Sequence, residues 1–96
     1  MKAELLIKDR LSQGENSFAE LALWRVPAPV LGSDHAFKYR LAFIVDGVCV
    51  LRYDNEAGKG DHKHMGAVET TYMFESPTRL LTDFWHDVEL WRAHHE

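Results

Sequence analysis

The dipeptide Asp46-Gly47 constrains this chain more than any other feature, because alternating runs flank it on both sides, Phe37 to Val45 before it and Val48 to Asp54 after it. Asp-Gly tolerates the positive backbone angles of a two-residue turn, whose twist matches that of the strands it joins, so the two runs are expected to fold back as an antiparallel hairpin. Such a short loop also fixes a register. With Val45 opposite Val48, Phe43 would face Val50, Leu41 would face Arg52, Tyr39 would face Asp54 and Arg40 would fall opposite Tyr53.

Other segments read in the same way. Leu5 and Ile7 alternate within Ala3 to Arg10, Ser12-Gln13-Gly14-Glu15-Asn16 supplies turn formers, and Ser17 to Val26 reads as the return strand, with Trp24 assigned to the core. Pro27-Ala28-Pro29 stops that strand, and a loop through Gly32-Ser33-Asp34-His35 follows. A last strand is expected from Val68 to Phe74. Ser76-Pro77 then offers a cap and a favoured first-turn proline, and Leu80, Leu81, Phe84, Trp85 and Val88 recur at helical spacing, with fraying from Arg92 to Glu96. The expected fold is α+β, a small antiparallel, meander-like β-sheet with a C-terminal α-helix packed on it. With 96 residues, the chain has room for one domain, residues 1–96, around one core.

Several function classes drop out. No apolar run approaches the ~20 residues needed to cross a bilayer, and the first residues lack a signal peptide's basic head and apolar stretch, so a cytoplasmic location is expected. Cys49 is the only cysteine; its apolar neighbours predict a buried, unreactive side chain and no intrachain disulfide. A formal net charge of -4 argues against broad attraction to nucleic acid, leaving only a local basic patch drawn from Lys38, Arg40, Arg52, Lys59 and Lys63. His35, His86, His94 and His95 are expected to be solvated.

Chemistry concentrates between Tyr53 and His64, in Tyr53-Asp54-Asn55-Glu56-Ala57-Gly58-Lys59-Gly60-Asp61-His62-Lys63-His64. Imidazoles move protons near neutral pH, carboxylates orient them, and cations meet phosphate. His62 and His64 are the candidate acid and base, with Asp54 or Asp61 orienting an imidazole. Lys59, Arg52 and Arg40 are candidate phosphate contacts, Tyr53 a surface on which a base stacks, and Gly58 and Gly60 the ends of a backbone nest for phosphate oxygens. The segment is not a nucleotide-binding P-loop, since Asp61 follows Gly60 where Lys-Ser/Thr is required. No complete tetrahedral ligand set is evident, so the expected chemistry uses no cofactor and no metal; a metal-dependent centre at Asp54, Asp61, His62 and His64 is the alternative. The bland reading is a solvated polar turn.

These residues also carry a family resemblance. Lys38-Tyr39-Arg40-Leu41-Ala42, Val50-Leu51-Arg52-Tyr53-Asp54-Asn55, Gly58-Lys59-Gly60-Asp61-His62-Lys63-His64 and Leu80-Leu81-Thr82-Asp83-Phe84 together resemble the TumE-type toxins, from the first strand through the terminal helix. The resemblance implies the toxin half of a prokaryotic type II toxin–antitoxin module, partnered by a helix-turn-helix antitoxin, and raises the reading of RNA as target and of ribonuclease as activity. It supplies no established mechanism, so the residue roles rest on chemistry. The acidic balance argues against docking on the ribosome. Two other functions stand beside cleavage: a non-catalytic inhibitor or co-regulator with the antitoxin, and a metal-dependent enzyme acting on nucleic acid or nucleotides. An uncovered edge strand would offer pairing to a second copy, giving a homodimer, or to the antitoxin.

Overall fold

A computed structural model describes residues 2–95. Six strands, β1 (Glu4–Gly14), β2 (Ser17–Arg25), β3 (Phe37–Val45), β4 (Val48–Glu56), β5 (Gly60–Met65) and β6 (Val68–Thr71), precede one helix, α1 (Pro77–His95). The strands pair antiparallel in chain order, β1-β2-β3-β4-β5-β6, so the sheet is an unbroken meander. The α+β architecture with a terminal helix is as expected from the sequence.

The helix defines which side of the sheet is core. Ser76 Oγ accepts a hydrogen bond from the Arg79 amide at 3.1 Å, closing the first turn with Pro77 at a position where no amide is needed. Leu80, Phe84 and Val88 recur at i, i+4 and i+8 and are almost fully buried against the sheet. Each contributes about 1.5–3 kcal/mol by leaving water. The opposing floor is Leu21, Leu23, Tyr39, Leu41, Phe43, Leu51 and Tyr53. Polar anchors fix the helix laterally: Tyr53 donates to the buried Asp87 carboxylate, which Lys63 also reaches at 3.1 Å, and Tyr72 donates to Asp83 at 2.6 Å.

The hairpin at Asp46-Gly47 forms as expected, with Val45 opposite Val48, but its register then changes. Ile44 pairs with Cys49 and Phe43 with Leu51, so Val50 is an extra residue, a β-bulge. Because side chains alternate with period two, one inserted residue exchanges the faces of everything beyond it. Leu51 and Tyr53 turn into the core, and Arg52 and Asp54 turn to the face opposite the helix, where Ala42 and Arg40 are their partners. The expected pairs Leu41 with Arg52, Tyr39 with Asp54 and Arg40 with Tyr53 are therefore corrected to Ala42 with Arg52, Arg40 with Asp54 and Leu41 with Tyr53. Cys49, expected to be buried, is exposed beside this bulge.

Four further expectations change. The polar segment after Glu56 is a strand from Gly60, the last strand stops at Thr71 rather than Phe74, and α1 continues to His95, where the imidazole stacks on Trp91 at 3.9 Å between centroids. Glu96 lies outside the described residues. Trp24 is half-buried and pairs with Lys38 on the helix-free face, outside the core.

Candidate active site

Antiparallel partners point to the same side, so the register lays out the helix-free face as two rows running across all six strands. One row is Lys8, Ala22, Arg40, Asp54, His62 and Thr71; the next is Arg10, Glu20, Ala42, Arg52, His64 and Glu69. His62 and His64 share this face because they are two apart on β5, and their ring centroids lie 5.0 Å apart. The bulge at Val50 brings Arg52 and Asp54 to the same place.

The contacts form a chain. His62 is buried, with Nδ1 3.0 Å from the Gly60 carbonyl oxygen and Nε2 2.8 Å from Asp54 Oδ1. Asp54 Oδ2 lies 3.1 Å from Arg52 Nε, and Arg52 Nη2 lies 3.0 Å from His64 Nε2. As a guanidinium only donates, His64 Nε2 is the acceptor of this bond, which places the ring proton of the neutral imidazole on Nδ1, 3.6 Å from Glu69 Oε2. The two ends differ in exposure: the side chains of His62 and Asp54 are 5% and 8% exposed, those of Arg52, His64 and Glu69 29%, 23% and 47%. The buried pair holds the guanidinium, and the accessible end presents Arg52, His64 and Glu69. Beside it, a shallow cavity of about 320 Å³ is lined by Lys59, Asp61, His62, Glu69, Thr70 and Thr71.

The close contact between His62 and Asp54 is not a well-aligned hydrogen bond: Asp54 Oδ1, His62 Nε2 and Arg52 Nε are buried without a properly directed partner. With Nδ1 donating to Gly60, Nε2 and the carboxylate oxygen face each other as two acceptors unless a proton or a cation lies between them. Asp54, His62 and His64 also place potential ligand atoms within 4.8 Å of one another, which makes them the residues able to hold a metal ion.

The remaining candidates from the sequence divide. Asp61 lies on the helix side of the sheet, where Asp61 Oδ1 accepts from Ser33 Oγ at 2.6 Å while Oδ2 accepts from Tyr39 at 2.6 Å and faces His35 Nε2 at 2.7 Å. This network, with Asn55 donating to Ser33 Oγ and the Phe37 carbonyl, clamps the 26–36 loop to the sheet. His35 is part of it and stacks on Phe74 at 3.8 Å, so it is not the solvated side chain expected. Tyr53 is buried beneath α1, out of reach of a stacking base. Gly58 and Lys59 donate their amides to Leu31 and Glu56, so those groups are committed within the protein rather than to a phosphate nest. Gly60 serves the loop as well: its φ is +75°, and a Cβ there would sit 2.7 Å from the Gly32 carbonyl oxygen.

Burial pushes the tyrosines of both anchoring networks far above the ordinary phenol range, and the hydrogen bonds to Asp61, Asp87 and Asp83 add to the shift at Tyr39, Tyr53 and Tyr72 respectively. They are fixed donors. Glu69 is the site residue that residue-type reasoning passed over; its signal was the alternation of the strand after Gly66, which sets it opposite His64 once the hairpin register is drawn.

No helix among the described residues is long and apolar enough to cross a membrane. No curated protein and no solved structure matches the chain significantly. The family model described as Toxin TumE matches residues 2–92 of the 96, which takes in all six strands and the site. The chain therefore belongs to the TumE toxin family, the toxin side of a toxin–antitoxin module, and an antitoxin is its implied partner.

Proposed function

We propose that this toxin acts in the cytoplasm by cutting RNA without a metal, attacking each phosphodiester with its own neighbouring 2′-hydroxyl. The observation that carries the reading is the row in which Arg52, His64 and Glu69 stand side by side on β4, β5 and β6, accessible and directly paired. Glu69 takes the proton of the 2′-hydroxyl as its oxygen bonds to phosphorus. The bond from phosphorus to the 5′-oxygen breaks as Arg52 turns from His64 Nε2 to the phosphate, and His64, having taken a proton from solvent on the freed Nε2, gives that oxygen a proton as imidazolium and returns to neutral imidazole, leaving a 2′,3′-cyclic phosphate and a 5′-hydroxyl. Arg52 stabilises the charge that develops on the phosphoryl oxygens, and Lys59 and Arg40 add charge at either side.

Asp54 and His62 act through Arg52 as positioning residues. They are buried beside the guanidinium, with Asp54 Oδ2 3.1 Å from Arg52 Nε, so their charge and bulk limit where the fork that reaches His64 can lie. Purified protein given single-stranded RNA in the presence of chelator tests the reading. It predicts cyclic-phosphate ends with the wild type and none with His64→Ala.

A second reading is favoured by one observation, the buried and misaligned contact of Asp54 Oδ1 with His62 Nε2. A divalent cation held by Asp54, His62 and His64 would relieve it and would activate the attacking oxygen. Stoichiometric metal in purified protein, lost in His62→Ala, together with activity abolished by chelator, would establish this version over the metal-free one.

A further inference from the structure

Resting on the RNA reading above, we infer that the rest of the helix-free face is a track for single-stranded RNA, running from the reacting row across β3 and β2 to the edge strand β1, with Lys8, Arg10, Lys38 and Arg40 meeting phosphates and Trp24 stacking on a base. Four observations converge on it. In a protein of net charge -4, the two rows of this face carry Lys8, Arg10, Arg40 and Arg52 against Glu20, Asp54 and Glu69. Lys8, Arg10, Lys38 and Arg40 form no ion pair among the described residues, so their charge is open to a ligand. Arg52 and Asp54, by contrast, neutralise each other locally.

The floor between these cations is low. Ala22 and Ala42 occupy the centre of the two rows, and a shallow cavity of about 450 Å³ opens there, lined by Lys8, Arg10, Glu20, Ala22 and Arg40 among others. It begins one strand from Asp54, because Arg40 is the direct partner of Asp54. Four strand spacings separate β5 from β1, roughly 19 Å in all, long enough for several nucleotides of an extended strand.

An aromatic completes the chemistry. Trp24 stands at the end of this face beside Lys38, half-buried and outside the core, while the Arg10 guanidinium lies 3.9 Å from the centroid of Phe18. Cations that follow a backbone together with an aromatic face that accepts any base are the means by which single strands are held without sequence preference. RNA strands, rather than an acidic protein, fit this combination.

The test uses the full chain and a fluorescein-labelled 2′-O-methyl RNA of about twelve nucleotides, within the span such surfaces cover, which lacks the nucleophile and is not consumed. The Lys8→Glu/Arg10→Glu variant is expected to bind about tenfold or more weakly and to lose about 1.4 from the slope of log affinity against log salt, for two phosphate contacts. Trp24→Ala is expected to bind about tenfold more weakly with little change of slope. The milder Lys8→Ala/Arg10→Ala pair should move in the same direction if the charge reversal disturbs folding.

Unchanged affinity in the folded β1 variants, or equal binding of a blunt RNA duplex or of polyglutamate, would overturn the track while leaving cleavage at Arg52, His64 and Glu69 untouched. Failure of the wild type to bind any RNA would overturn both readings.

Discussion

Arg52 Nη2 lies 3.0 Å from His64 Nε2, and this one hydrogen bond decides which imidazole nitrogen is free to carry a proton toward Glu69. It exists because a single extra residue, Val50, turns Arg52 away from the core and onto the face where β5 presents His64. A packing detail of one hairpin thereby sets the chemistry of the neighbouring strand.

That bond makes Arg52→Lys a sharper substitution than its conserved charge suggests. Lysine keeps a cation but loses the planar fork that joins Asp54 to His64. The expected outcome is a fall in kcat of about 10²-fold or more with RNA affinity changed little, read from single-turnover kinetics.

Glu69→Gln separates the proposed base from its neighbours. It preserves shape on an exposed strand and removes the proton acceptor. Cleavage should fall about 10²–10⁴-fold in single-turnover assays, with thermal stability unchanged.

The chain's three tyrosines, Tyr39, Tyr53 and Tyr72, are all held protonated by burial and by hydrogen bonds to carboxylates. Raised pKa values mean that their contribution to stability is complete below the ordinary phenol pKa of about 10 and declines as pH rises beyond it. Alkaline difference spectroscopy should therefore show no tyrosinate in the native protein near that pH, followed by one cooperative appearance of all three on unfolding. A tyrosine titrating separately in the folded state would break the anchoring scheme.

Asp83 shows the opposite sign. Burial alone would raise its carboxyl, yet the hydrogen bonds from Tyr72 and Arg79 outweigh it and hold the group below the usual carboxylate range. Its contribution is present above the ordinary carboxylate pKa and is lost as pH falls through the depressed value. Asp83→Asn should cost about 1 kcal/mol at neutral pH, since solvent screens the partly exposed pair with Arg79, and the difference should vanish in acid. Urea denaturation at the two pH values reads it.

The sequence disclosed the fold well and the site only in part, for physical reasons. Alternation and the Asp46-Gly47 turn report strands and their connections locally, and Ser76-Pro77 marks a helix start. The bulge at Val50 leaves no such mark, because Cys49, Val50 and Leu51 are all apolar and any one of them suits the core. The face assigned to Arg52 and Asp54 was lost with it. His62 and His64 were legible as the candidate acid and base, whereas the diversion of Asp61 into the clamp around Ser33, His35 and Tyr39 depends on a loop some 26 residues earlier in the chain. Glu69 sat within a visible strand but outside the dense motif, and only the register connects it to His64.

The most direct test of the central claim is the end chemistry of a single-stranded RNA incubated with purified protein in excess chelator, beside the DNA of the same sequence. The account predicts 2′,3′-cyclic phosphate and 5′-hydroxyl ends from the RNA, intact DNA, and no cleavage by His64→Ala. Cleavage that requires an added divalent metal, or that leaves 5′-phosphate ends or cuts the DNA, would contradict it.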